Sequence, residues 1–286
     1  MNMNPYIKYV SSFEKLVVDG RSLPLAGFQP AARPNIAPDA PKALFFAPHP
    51  DDETICGGLA LRLLREAQWN VIDASVTLGS LPERKAPRLK ELSDACNYLG
   101  FGLTQLAPLG LDNLKPATRA KDPAAWSKMV ESAVRILNEH RPRAVFLPHE
   151  LDWNGTHIGT HFLVMDALKA VPDLKCHLVE TEFWGQMQTP NLLAEYSRET
   201  VADLIAATTF HVGEVKRNPY HLLLPAWMQD NVRRGSELVG GAGQPAAQFM
   251  FAQAYRLRRW NGSQIEDCFA GGRFLPLSEN PAGLFA

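Results

Sequence analysis

The stretch ALFFAPHPDDETICGGLALRLL, residues 43–64, decides how the chain folds. Ala43–Ala47 is a short unbroken apolar run, the mark of a strand buried on both faces of a parallel sheet. Apolar residues then recur at helical spacing through Ile55–Ala67, and Val71–Leu78 reads as a second strand. The alternation continues with a helix over Pro87–Leu99 ended by Gly100, a strand near Leu103–Leu109 and a helix opened by Asp122-Pro123. A strand at Ala144–Leu147, a helix at His157–Lys169, a strand at Cys176–Phe183 and a helix at Thr200–Phe210 follow. Strands alternating with helices predict an α/β fold: three α/β/α layers around a Rossmann-like, mostly parallel sheet, with a decorated C-terminal part.

Outside this core, residues 1–42 read as an N-terminal extension. LVV and LPLA flank Asp19-Gly20, which predicts a hairpin turn, and Pro24, Pro30, Pro34, Pro38 and Pro41 break regular structure up to Lys42. Residues 43–286 read as a single domain, with 211–286 expected to shape substrate choice. In that part AWMQDNVRRGSELVGG predicts a helix ending in glycines, and Gln248–Trp260 a strand or an amphipathic segment. The 286 residues carry 29 basic and 30 acidic side chains, and this balance argues against a nucleic-acid binder with a broad basic face. No apolar run approaches the ~18 residues of a membrane span, and the first twenty residues hold no continuous apolar stretch, so no secretory signal is expected. Cys56, Cys96, Cys176 and Cys268 lie far apart without a CxxC pair. No disulfide framework or cysteine zinc site is expected, and the expected compartment is the cytoplasm.

In an open parallel sheet, ligands bind outside the carboxyl ends of the strands. Two segments rich in metal-ligating side chains fall there: Pro48-His49-Pro50-Asp51-Asp52-Glu53 after the first strand, and the His149–His161 segment HELDWNGTHIGTH after Ala144–Leu147. One imidazole and three carboxylates in five positions repel unless a cation neutralises them or some stay protonated. Imidazole with carboxylate suits zinc, and iron, cobalt or manganese ions take the same donors. His157 and His161 are four apart, hence on one helix face, and one or both are candidates to reach the metal. The alternative is that Asp51, Asp52 and Glu53 only favour the helix N-terminus.

The chain resembles the PIG-L/LmbE-type zinc deacetylases of N-acetylglucosamine derivatives. The resemblance rests on PHPDDE after the first core strand, GGLALRL in the following helix, the strand NVIDASVTLG, Arg88-Leu89-Lys90-Glu91 leading to Leu99-Gly100, and the histidine-bearing loop after Ala144–Leu147. It implies that His49, Asp52 and His157 hold Zn2+ and that Asp51 is the general base. Asn154 stands where the family's second motif has an assisting histidine. Either Asn154 donates a neutral hydrogen bond, or His149, His161 or His211 supplies the imidazole. His211 closes Ala207-Thr208-Thr209-Phe210-His211, similar to a late family pattern. Glu53, Arg88, Trp153, Glu182 and Trp184 are the candidate substrate-binding residues.

The activity so implied is removal of acetyl from an N-acetylated amino sugar derivative. The alternatives are hydrolysis of another small amide or a phosphoester, and a non-catalytic metal- or carbohydrate-binding protein. A small N-acetylated sugar derivative is the expected partner, with no nucleic acid and no membrane span; association into a homo-oligomer is left open.

Overall fold

The computed structural model describes residues 4–30 and 32–286. In chain order the elements are α1 (Tyr6–Gly20), β1 (Lys42–Phe45), α2 (Asp52–Ile55), α3 (Gly58–Ala67), β2 (Asn70–Ser75), α4 (Pro82–Leu99), β3 (Gly102–Gln105), α5 (Pro116–Lys121), α6 (Pro123–His140) and β4 (Ala144–Pro148). They continue with α7 (Gly155–Lys169), β5 (Cys176–Thr181), β6 (Leu192–Glu195), α8 (Arg198–Thr208), α9 (Val212–Val215), α10 (Tyr220–Leu238), β7 (Ala252–Trp260), β8 (Ile265–Asp267) and β9 (Arg273–Leu275). A last 3-10 turn covers Pro281–Phe285.

The sheet runs in the order β3-β2-β1-β4-β5-β7-β6-β9, with β8 on β7. The first five of these strands pair in parallel, whereas β7 lies antiparallel to β5, β6 and β8. The α/β fold with a mostly parallel, Rossmann-like open sheet is therefore as expected. Side chains of β1 alternate between two cores, Ala43 and Phe45 facing α3, α4 and α8, and Leu44 and Phe46 facing α6 and α7. That alternation is the period-two geometry of a strand covered on both sides. The strand order reverses between β1 and β4, and the crevice at such a switch point opens at the carboxyl ends of those two strands. Among the described residues, no helix is long and apolar enough to cross a membrane.

Several local expectations differ from what forms. Residues around Asp19-Gly20 make no hairpin: Tyr6–Gly20 is one helix, because apolar residues at 6, 9, 10, 13, 16 and 17 recur with helical period and the glycine merely ends it. The helix expected at Ile55–Ala67 is broken at Cys56-Gly57, so that Ile55 ends α2 and Gly58 opens α3. Two glycines weaken a helix, and Gly58 is pressed so close to the Tyr196 ring that a Cβ would sit 2.5 Å from it. α4 starts at Pro82, earlier than Pro87, because Pro82 suits the first helical position. Gln248–Trp260 resolves into the long strand β7. Strands β6, β8 and β9 were not anticipated; β8 and β9 span only three residues each.

On the α6–α7 side, Asp166 accepts hydrogen bonds from Arg119 (2.8 and 3.0 Å), Trp126 Nε1 (3.0 Å) and Lys169 (3.2 Å). Burial alone would raise this carboxyl, but those donors hold it below its ordinary 3.8. A carboxylate lowered on folding stabilises the protein above its unfolded pKa, and the gain is lost as pH falls through the folded value. Asp166→Asn is therefore expected to cost about 1 to 2 kcal/mol at pH 7 and to approach wild-type stability below 3.8. Denaturant melts at pH 7 and pH 3 check this; a pH-independent difference would contradict it.

Candidate metal centre

Both loops of the crevice are fixed from the strands beside them. Thr77 donates its backbone N–H (3.2 Å) and its hydroxyl (2.7 Å) to the Pro48 carbonyl. The His149 N–H donates to the Thr181 carbonyl at 3.2 Å. Between β1 and α2 the chain turns at Asp51, whose φ of 118° is a left-handed value that disfavours a residue with a side chain. Its N–H donates to Glu53 Oε2 at 2.9 Å, and Glu53 Oε1 receives His211 Nε2 at 2.7 Å, with both side chains fully buried. The strained turn is thus held by a carboxylate that is itself held from the end of α8.

That turn brings His49 and Asp52 to His157 at the start of α7. One donor atom from each lies within 4.8 Å of the other two. Asp52 Oδ2 is 3.5 Å from His49 Nδ1 and 3.3 Å from His157 Nε2. His157 Nδ1 is 3.5 Å from Asp152 Oδ2. Asp152 Oδ1 accepts the Asn154 N–H, and the Asn154 side-chain oxygen accepts the Thr156 N–H, capping α7. Asp152 Oδ2, itself without a hydrogen-bond partner, thus faces His157 Nδ1, where an outer carboxylate would orient a metal-bound imidazole. His157 Nε2 is buried without a hydrogen-bond partner, although a buried polar atom ordinarily has one. Two imidazoles and a carboxylate converging on an unpaired buried nitrogen fit a divalent ion of the zinc type.

The electrostatics agree. Burial disfavours charge on His157, but Asp52 and Asp152 outweigh it and push the imidazole up to about 10. Burial likewise works to raise Asp52, and the two imidazoles hold it well below the usual carboxylate range. Asp51 goes the other way: burial, then the Asp52 charge, raise it well above its ordinary value. The place favours positive charge beside Asp52 and penalises negative charge on Asp51.

The other residues picked out in the sequence lie as follows. His161 is not beside Asp52; its Nδ1 faces the Pro148 carbonyl at 2.9 Å and Glu180 at 3.8 Å. Glu150, His161 and Glu180 form a second cluster with metal-ligand spacing, but Arg256 and Arg258 already bind Glu180, and Arg256 also pairs with Glu150. His149 accepts the Leu151 N–H at Nδ1 and donates from Nε2 to the Gly185 carbonyl. His211 is committed to Glu53. Glu182 is buried and bound by Arg234 and the Met187 N–H. Arg88 Nη2 donates to the Pro50 carbonyl at 3.1 Å, next to Asp51. Trp153 is 78 % and Trp184 40 % exposed. Their loops touch, since a Cβ on Gly185 would come within 2.8 Å of the Asp152–Trp153 backbone. Trp184 also meets Tyr220 edge-on at 5.5 Å. A cleft of about 560 Å³ opens at His49 and Thr156, walled by Thr77, Asp112 and Lys115 among others. Asp152 is the residue whose place at the centre was not anticipated. An acid two positions before a helix-capping Asn, with a His three positions beyond, was its signal in the sequence.

No curated protein matches the chain at a significant level. Three similar solved structures are N,N'-diacetylchitobiose deacetylase from Pyrococcus horikoshii (17 % identity over 89 % of this chain and 93 % of that one, TM-score 0.57), the conserved protein TT1542 from Thermus thermophilus (20 %, 74 % and 92 %, 0.54), and GalB, the 4-carboxy-2-hydroxymuconate hydratase from Pseudomonas putida KT2440 (14 %, 76 % and 95 %, 0.55). Likeness at these identities establishes the fold. Residues 44–168 match the family model described as PIG-L, GlcNAc-PI de-N-acetylase; that stretch contains His49, Asp52 and His157, and in it the chain is similar to the PIG-L/LmbE-type deacetylases, as its PHPDDE motif implied.

Proposed function

We propose that the chain is a metal-dependent hydrolase that removes the acetyl group from an N-acetylated amino sugar derivative, N-acetylglucosaminyl compounds being the first class to test. The observation that carries this is the convergence of His49, Asp52 and the unpaired His157 Nε2, with the Asp51 carboxyl on the neighbouring residue. The fold alone does not choose the reaction, since GalB, a hydratase, shares it; the PIG-L match over 44–168 favours amide hydrolysis. Zn2+ is the first choice of ion for the three donors, with Fe2+, Co2+ or Mn2+ as alternatives. Such an ion supplies Lewis acidity, polarising a carbonyl and making water acidic enough to lose a proton near neutral pH.

The chain's own residues divide the remaining work. Asp51, next to the ligand Asp52 but not one of the three donors, takes the proton from the attacking water at a carboxylate oxygen. Of the eight histidines, His49 and His157 are the donors, and His149, His161 and His211 each have a ring nitrogen engaged, by Gly185, Pro148 and Glu53. Asp51 also returns the proton to the leaving amine. The Asn154 amide oxygen is engaged by the helix, leaving its NH2 group as a neutral donor towards the developing oxyanion. His211 and Glu53 act through the Asp51 backbone, and Arg88 through Pro50. Trp153, Trp184 and Tyr220 form an aromatic wall for the sugar or its aglycone; the Trp184–Tyr220 contact supports a part for 211–286 in substrate choice.

Asp51→Asn is expected to keep its metal and lose about 10²- to 10⁴-fold in kcat, whereas His49→Ala loses the metal as well. Metal analysis with an acetate-release assay on a panel of N-acetylglucosaminides checks both. Wild-type turnover by Asp51→Asn would remove the base assignment, and bound metal without acetate release from any N-acetylated sugar would favour the non-catalytic alternative. Separately, His211→Ala leaves Glu53 as a buried, unpaired charge and is expected to cost about 3 to 5 kcal/mol of stability. Chemical denaturation measures it, and an unchanged midpoint would show that the pair does not hold the turn.

A further inference from the structure

Helix α1 leaves the body as an arm. Its residues Tyr6, Tyr9, Phe13, Leu16 and Gly20 follow the alternating three- and four-residue spacing of a helix–helix seam, and Val10 and Val17 widen the same stripe. The last turn alone is covered, where Gly20 sits against Leu222 of α10. Further out the stripe faces solvent: Tyr6 is 70 %, Tyr9 62 %, Val10 62 % and Leu16 68 % exposed. An isolated helix of this length is marginal in water, and its stability ordinarily comes from packing of its apolar face. An exposed apolar patch of several hundred Å² marks an interaction site.

The polar side helps select the occupant. Away from the stripe, where Ile7 and Val18 are also exposed, Lys8 and Lys15 are balanced by Glu14 and Asp19, with Lys15 paired to Asp19 at 2.7 Å. A membrane-surface helix instead concentrates Lys and Arg on that side. The stripe's exposed area is of the order of the roughly 800 Å² per partner that a standard interface buries. A heptad-like seam packs against a helix with the same period, and a second copy of the chain supplies one. We propose that two copies associate through their α1 helices, stripe against stripe, to form a dimer.

Sedimentation velocity of the full chain from about 1 to 100 µM tests this. The expected species is a dimer of 31.7 kDa chains. Phe13→Glu with Leu16→Glu should weaken the association at least ~100-fold, the milder Leu16→Ser about tenfold, and Ser11→Glu, on the polar side, not at all. Unchanged acetate release or far-UV circular dichroism shows that the body of each variant is folded. A wild-type monomer throughout that range overturns the proposal, whether or not it floats with phosphatidylcholine/phosphatidylglycerol vesicles. So does a dimer that survives the double substitution.

Discussion

Buried negative charge at the crevice between β1 and β4 is the constraint on which the rest of the structure depends. Asp51, Asp52, Glu53, Asp152, Glu180 and Glu182 are all nearly inaccessible, and a buried carboxylate is costly unless it is paired or protonated. The fold answers with cations from far along the chain: His211 for Glu53, Arg234 for Glu182, and Arg256 and Arg258 for Glu180. Three of these four residues belong to α10 and β7. The C-terminal third therefore neutralises carboxylates buried in the turn after β1 and at the end of β5.

Asp52 differs from the others. Besides the His49 backbone N–H at 2.9 Å, its side-chain partners are the two imidazoles of its own cluster, and His157 Nε2 has no hydrogen-bond partner. The Glu150–His161–Glu180 cluster shows the contrast: similar donors at similar spacing, but already satisfied by two guanidinium groups. Spacing alone marks both as metal candidates, and the surrounding charge separates them.

The sheet and the first half of the centre were legible because their signals are local. ALFFA reads as a buried strand without knowledge of its neighbours, and PHPDDE crowds its carboxylates within one turn. The second half was partly legible: spacing offered both His157 and His161 on one helix face and the family resemblance singled out His157, which lies beside Asp52, whereas His161 turns to Pro148 and Glu180. Its neighbour Glu180 meets Arg256 and Arg258 only through β5–β7 pairing, which no spacing rule reveals. The His211–Glu53 contact spans 158 positions, so the sequence offered His211 only as a possible catalytic imidazole. The Asp19-Gly20 turn signal misled because a dipeptide was weighed above the helical period preceding it.

The most direct measurement is anomalous diffraction from crystals of the purified chain, collected above and below the absorption edge of the bound metal. The expected result is one strong peak between His49 Nδ1, Asp52 Oδ2 and His157 Nε2. A peak among Glu150, His161 and Glu180 instead, or none near Asp52 after soaking with zinc, would contradict the assignment of the centre.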